Sequence, residues 1–195
     1  MAPRTHIQMI ESADDRVLLK RLANQEQAAI KLLFERHHVR VFRFILRLVR
    51  NEAIAEEIAN EVFLEVWRHA KSYQGNSAPM TWILSIAYHR AASSLRRKRE
   101  ERLDEDQANE LADGAPNPEA ALLMEDKSML LRQCIETLSS EQRVIVDLVY
   151  YQELSVSEAS EVAGIPEGTV KTRLFNARKH LSKLLLAAGV DRGWP

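Results

Sequence analysis

A single cysteine, Cys134, in 195 residues leaves no partner for an internal disulfide and fits a reducing compartment. Its apolar neighbours Leu130, Leu131 and Leu138, at helical spacing, mark it as a buried structural thiol rather than a nucleophile or redox sensor. No stretch approaches the ~20 consecutive apolar residues that span a bilayer. The first sixteen residues, MAPRTHIQMIESADDR, also lack the unbroken apolar segment of a secretion signal. A cytoplasmic protein with no direct membrane insertion is the expectation. No glycine-rich phosphate loop, metal motif or nucleophile–base pair at a meaningful spacing is present. Neither an enzyme nor a bound cofactor, metal or small-molecule substrate is therefore expected. The vicinal His37 and His38 point in different directions on a helix, and the spacing predicts exposed histidines rather than ligands.

Glycine, proline and aromatic residues are scarce, while Leu, Ala, Glu and Arg abound. That balance predicts an all-α fold, and the length fits one large or two small domains; with the motifs that follow, the expectation is two small helical domains joined by a flexible acidic linker, the second containing a helix-turn-helix. The formal net charge of −1 would ordinarily argue against a nucleic-acid partner. The average conceals segregation. Arg90–Arg102 and Lys171–Lys183 are strongly basic, whereas Asp104–Asp126 holds acids and no Lys or Arg. Local patches, not the total, set the field that DNA meets.

The most informative stretch is SVSEASEVAGIPEGTVKTRLFNARKHLSK, Ser155 to Lys183. Ser155 and Glu158 have capping-box spacing, so a helix starts there. Gly164 supplies a left-handed residue and Pro166 forbids continuation, which forces a turn before Glu167. In the second helix Val170, Leu174, Ala177, Leu181 and Leu184 or Leu185 form an apolar stripe, with Lys171, Arg173, Arg178, Lys179 and Lys183 on other faces. Charge pattern alone fits a solvated helical hairpin equally well. Cap, turn glycine, proline and basic second helix in register instead predict a helix-turn-helix, whose second helix enters the major groove. Thr169, Lys171, Thr172, Arg173 and Asn176 are placed to reach base edges and phosphates, with Arg178 and Lys179 adding cationic contacts.

Upstream, from Asp14, a short helix, a break near Asn24 and a long amphipathic helix are expected, the latter with Ile30, Leu33, Phe34, Val41, Phe44, Ile45 and Leu48 on one side. Asn51 is the N-cap for a helix to about Lys71. There Ile54, Ile58, Val62, Trp67 and Ala70 are expected to pack inward, and Glu56, Glu57, Asn60, Glu61 and Glu65 to form an acidic outer face. A solvated face and a docking surface bordered by Phe63 and Trp67 both fit. The loop Ser72–Pro79 precedes a helix expected to bury Trp82, Ile83, Ile86 and Leu95 and ending in Arg96, Arg97, Lys98 and Arg99. Cations at a helix C-terminus are favoured by its dipole. Tyr73, Gln74, Asn76, Tyr88, His89, Arg90 and that cluster also supply stacking groups and backbone contacts suited to single-stranded DNA. Leu103 to about Glu119 reads as a linker, either a solubilising spacer or a DNA-like occupant of a basic channel. Helical periodicity resumes at Ala120, and Ser139 or Ser140 caps a helix with Val144, Ile145, Leu148 and Val149 on its apolar side. Residues 1–12 carry no pattern and read as a tail.

The order of these features resembles the bacterial RNA polymerase sigma factors of the sigma-70 family, in their extracytoplasmic-function (ECF) subgroup, over Val17–Arg99 and Met124–Leu186. The family's polymerase-clamp helix matches Glu57, Asn60, Glu61, Phe63 and Trp67, with Glu57 and Asn60 in place of its usual Asp and Gln. Its loop and helix start that capture an unstacked minus-10 base resemble Tyr73, Gln74, Gly75 and then Thr81, Trp82. Tyr88, His89 and Ser93 depart from the usual Arg-Asn and Asp, which bears on promoter melting and minus-10 preference. Leu138, Ser139, Gln142, Arg143, Glu158, Ala159, Ala163, Gly164, Gly168, Thr169, Val170, Lys171, Arg173 and Ala177 follow the pattern of the minus-35 domain. The resemblance implies a core-binding and minus-10 domain at 14–102, a linker at 103–121 and a minus-35 domain at 122–187. Its implied partners are core RNA polymerase, promoter DNA and an anti-sigma factor. The alternative is a duplex-binding regulator that never joins polymerase.

Overall fold

The computed structural model describes residues 14–105 and 127–189, and every regular element among them is helical. The chain forms two compact units, whose main division falls between Leu103 and Asp104. The expected tail at 1–12 lies outside the described residues, as does most of the expected linker and the start of helix near Ala120. One boundary differs from expectation: the helix entering the linker runs on through Leu103 to Glu105.

In the first unit, α1 spans Asp15–Ala23, and the Asp14 side chain accepts from the Arg16 amide at 2.9 Å as its N-cap. Helix α2 covers Gln27–Val49 and stops where Arg50 turns left-handed at φ 54°. The Asn51 side chain caps α3, Glu52–His69, accepting from Ile54 N at 3.0 Å. A 3₁₀ turn at Ala70–Ser72 leads through a polar loop to α4, Pro79–Glu105. The core comes from one stripe of each helix: Leu18, Leu19 and Leu22; Leu33, Val41, Phe44 and Ile45; Ile58, Val62, Phe63 and Val66; Ile83, Leu84, Ala87 and Ala91. Fully burying one such large aliphatic or aromatic side chain stabilises by ~1.5–3 kcal/mol.

Two inward assignments fail here, and one outward one. Trp67 is 44% exposed because it lies off the stripe that Ile58, Val62 and Val66 bury in α3, and Leu95 is 40% exposed because it continues the Ile83, Ala87, Ala91 series of α4 one turn past its last buried member. His37 and His38, expected in solvent, are half-buried. His37 Nε2 lies 2.6 Å from Asp15 of α1, while His38 sits 4.4 Å from the Phe34 ring and 3.4 Å from Glu56 of α3. Adjacent residues do point apart, but each finds a different neighbouring helix.

The second unit starts at α5, Lys127–Glu136. Ser139 is the residue that caps α6, Ser140–Val146, in a reciprocal box with Gln142. A π-helical turn at Asp147–Tyr151 follows and buries Asp147, whose carboxylate accepts from Gln152 Nε2 at 3.0 Å. This widened turn was not foreseen; Val144 and Val149 are half-buried, and Val146 joins Ile145 and Leu148 in the core.

Helix α7, Val156–Ala163, opens on the expected box, with Glu158 N donating to Ser155 Oγ at 3.2 Å and Ser155 N to Glu158 Oε2 at 3.0 Å. Gly164 turns at φ 64°, and α8 spans Glu167–Ala187 with Val170, Leu174 and Ala177 buried. A Cβ at that φ costs ~1–2 kcal/mol. Gly164→Ala is therefore expected to lower the unfolding free energy of this unit by that amount, read from urea midpoints; an unchanged midpoint would contradict the turn geometry.

Candidate functional site

On the first unit, α2 and α3 leave a groove of about 400 Å³ lined by Ile30, Lys31, Phe34, Asn60, Phe63, Leu64 and Trp67. Phe63 is only 3% exposed and packs edge-on against Phe34, with ring centroids 5.0 Å apart. It forms the groove floor rather than a projecting anchor. The exposed apolar groups are Trp67 and Leu64. Leu64, four residues after Asn60 and three before Trp67, shares their face of α3. Glu57 and Asn60 are exposed beside the groove, and Glu61 is half-exposed. An exposed tryptophan over an apolar floor, rimmed by polar groups, has the anatomy of an interface hot spot.

Arg90, expected to face single-stranded DNA, is clipped by α3: it hydrogen-bonds Glu65 and lies 3.6 Å from Glu61. The bond from Arg90, reinforced by its charge, holds the Glu65 carboxyl below its ordinary range despite opposition from burial. The same bond raises the Arg90 pKa. A depressed carboxylate contributes stability that is complete above the unfolded-state value and is lost as pH falls through the lowered folded value. Arg90→Gln should therefore destabilise the protein near neutrality, with the difference from wild type vanishing in acid below the ordinary Glu range. Parallel acid-unfolding curves, offset equally at all pH, would refute this.

Along the loop, Tyr73 lies 5.3 Å from the Trp82 ring and donates its hydroxyl to Ser77 O at 2.7 Å. Gln74 and Asn76 are joined at 3.2 Å. Trp82 is half-buried, and Tyr88 meets exposed His89 edge-on at 5.6 Å. Arg96, Arg97, Lys98 and Arg99 are all exposed at the far end of α4.

In the second unit, α8 carries Lys171, Thr172, Asn176, Arg178 and Lys179 in solvent, with Thr169 and Arg173 half-buried. Several are already engaged. Lys171 lies 3.7 Å from Glu167, Thr172 donates back to Gly168 O at 2.9 Å, and Arg178 donates to the Tyr150 hydroxyl at 2.6 Å. Arg173 reaches across to Glu141 of α6 at 2.9 Å. Phe175, 65% exposed between Arg173 and Asn176, was missed, although its place off the apolar stripe was visible in the spacing. The partnership with Glu141 is tertiary and left no mark in the local sequence.

Residues 33–101 match the family described as Sigma-70 region 2, and residues 128–181 match Sigma-70, region 4. The chain belongs to the sigma-70 family, in the ECF subgroup. It is 28% identical over 182 residues to the ECF RNA polymerase sigma factor SigK of Mycobacterium tuberculosis (strain ATCC 25618 / H37Rv), covering 89% of this chain and 95% of that protein. The SigK of Mycolicibacterium vanbaalenii is 25% identical over 171 residues, covering 86% and 87%. In fold the chain is similar to CnrH, solved in complex with the cytosolic domain of CnrY, at TM-score 0.64 and 22% identity over 89% of this chain and 97% of that one. It is also similar to the sigma factor RpoE solved with the anti-sigma factor NepR from Bartonella quintana, at TM-score 0.65 and 22% identity over 83% and 98%.

As a sigma factor, the protein binds core RNA polymerase and promoter DNA and directs initiation; it is not an enzyme. No helix among the described residues is long and apolar enough to cross a membrane.

Proposed function

We propose that this sigma factor grips polymerase through the α2–α3 groove, with Trp67 and Leu64 as the exposed apolar anchors, Phe63 beneath them, and Glu57, Asn60 and Glu61 as the polar rim. The observation that carries the reading is Trp67 standing in solvent over an otherwise apolar floor. In the same domain, taken as 14–102, Tyr73, Gln74, Asn76, Trp82, Tyr88 and His89 hold the unpaired minus-10 strand, and Arg96, Arg97, Lys98 and Arg99 hold its phosphates. Aromatic rings and amides at the loop, followed by a cationic helix end, are what stacking and backbone neutralisation require. Arg90 serves first as a brace between α3 and α4, through Glu61 and Glu65.

The second domain, 122–187, reads the minus-35 duplex with Thr169, Lys171, Thr172, Arg173 and Asn176, while Arg178 and Lys179 contact phosphates. The linker at 103–121 separates the two domains in sequence. An anti-sigma protein holds the factor inactive in the cytoplasm by covering the same groove, a reading supported by the anti-sigma complex solved for the RpoE of similar fold. Co-elution with core polymerase and run-off transcription on a promoter library test the proposal. Duplex binding without co-elution would leave a conventional regulator instead.

A further inference from the structure

Helix α2 carries Arg36, Arg40, Arg43, Arg47 and Arg50 at intervals of three and four residues up to its left-handed cap, a series that the surfaces above leave unused. At ~100° per residue these five fall within an arc of about 80°. At ~1.5 Å rise per residue they form a stripe roughly 21 Å long. Arg36, Arg40, Arg43 and Arg50 are exposed and Arg47 is half-buried. The one acidic residue of α2, Glu35, points away from the stripe and pairs with Lys31 at 3.8 Å. Asp15 of α1 meets the stripe at its start, pairing with Arg36 at 2.8 Å.

We infer that this arginine stripe is a second, sequence-independent DNA surface that tracks the phosphates of one strand of the promoter duplex. Charge complementarity and dimensions both favour that occupant. A strand of B-form DNA presents its phosphates at regular intervals and winds away from a straight rod, so a stripe of this length meets a few consecutive phosphates. Every cation on it is arginine, whose planar fork pairs with phosphate in two-point geometry that lysine cannot reproduce. Position matters as well. Ile30, Lys31 and Phe34, the α2 contribution to the groove, lie about 120 to 220° around the helix from Arg36. A partner seated in the groove therefore leaves the stripe open to DNA.

The inference rests on the chain being a promoter-binding sigma factor, and its test separates the two claims. Full-length Arg40→Gln/Arg43→Gln/Arg47→Gln protein is titrated, free and with core polymerase, against a promoter duplex and the same duplex with a scrambled minus-35 element, from 50 to 200 mM salt. Loss of three phosphate contacts should flatten the slope of log affinity against log salt by ~2–3 and weaken binding at least ~10-fold, equally on both duplexes. Affinity for core polymerase should not change, and the corresponding Arg→Lys protein should keep most of the slope. An unchanged slope would overturn the inference. So would lost polymerase affinity with the slope intact, which would assign the stripe to a protein partner. If the triple variant does not fold, Arg43→Gln alone should flatten the slope by ~0.9. The arm without polymerase decides the matter even if no holoenzyme forms, an outcome that would count against the sigma reading alone.

Discussion

Trp67→Ala is expected to weaken core-polymerase binding by about 30-fold or more, the effect of losing a hot-spot residue worth ~2 kcal/mol or above. Its side chain already stands 44% in solvent, so the folded state loses little and the thermal midpoint should move little. Phe63→Ala should behave oppositely. That ring is nearly fully buried against Phe34, and truncating a buried Phe costs ~3–5 kcal/mol. A domain of this size has only about 5–15 kcal/mol in total, so Phe63→Ala should populate unfolded protein and lose polymerase binding for that reason. Paired measurements of melting and of polymerase affinity distinguish the two variants. Equal melting losses would mean that Trp67 is structural, and the groove would lose its anchor.

The second large effect concerns α8. Asn176→Ala removes a side chain able to make two-point contact with a base edge, and should cost ~1–3 kcal/mol on the cognate minus-35 duplex, or about 5- to 150-fold, with little change on a scrambled one. Arg173→Ala should also weaken duplex binding, and its partner gives a sharper test. Glu141 lies 2.9 Å from Arg173 and is itself largely exposed, so the pair contributes little stability. Removing that carboxylate by Glu141→Gln should tighten duplex binding several-fold while leaving the melting curve in place. The gain should disappear when Arg173→Ala is added. Tightening that persists in the double variant would show Glu141 acting through general repulsion of DNA rather than by holding Arg173.

The architecture was legible because its signals are local. Asn51 and the Ser155–Glu158 box act within three residues, Gly164 and Pro166 dictate their own backbone, and the Val170, Leu174, Ala177 stripe repeats with the helical period. What escaped depends on contacts between helices. Nothing near Trp67 says that α3 buries Val62, Phe63 and Val66 while tipping the indole outward. His37 and His38 cannot disclose the Asp15 and Glu56 that neighbouring helices bring to them. Arg90 gives no local sign of its carboxylate partners, which lie a helix away. Leu95 was counted as core from periodicity extended past the point where α4 has neighbours to pack on.

The π turn at Asp147–Tyr151 has a geometric consequence for promoter reading. Each residue advances a helix by about 100°, so a one-residue deletion that relaxed this turn to ordinary α-helix would rotate the downstream chain by roughly that angle about the axis of α6. The inserted residue thus acts as a phase setting. Asp147 and Gln152, hydrogen-bonded to one another across it, hold that phase for the helices that follow.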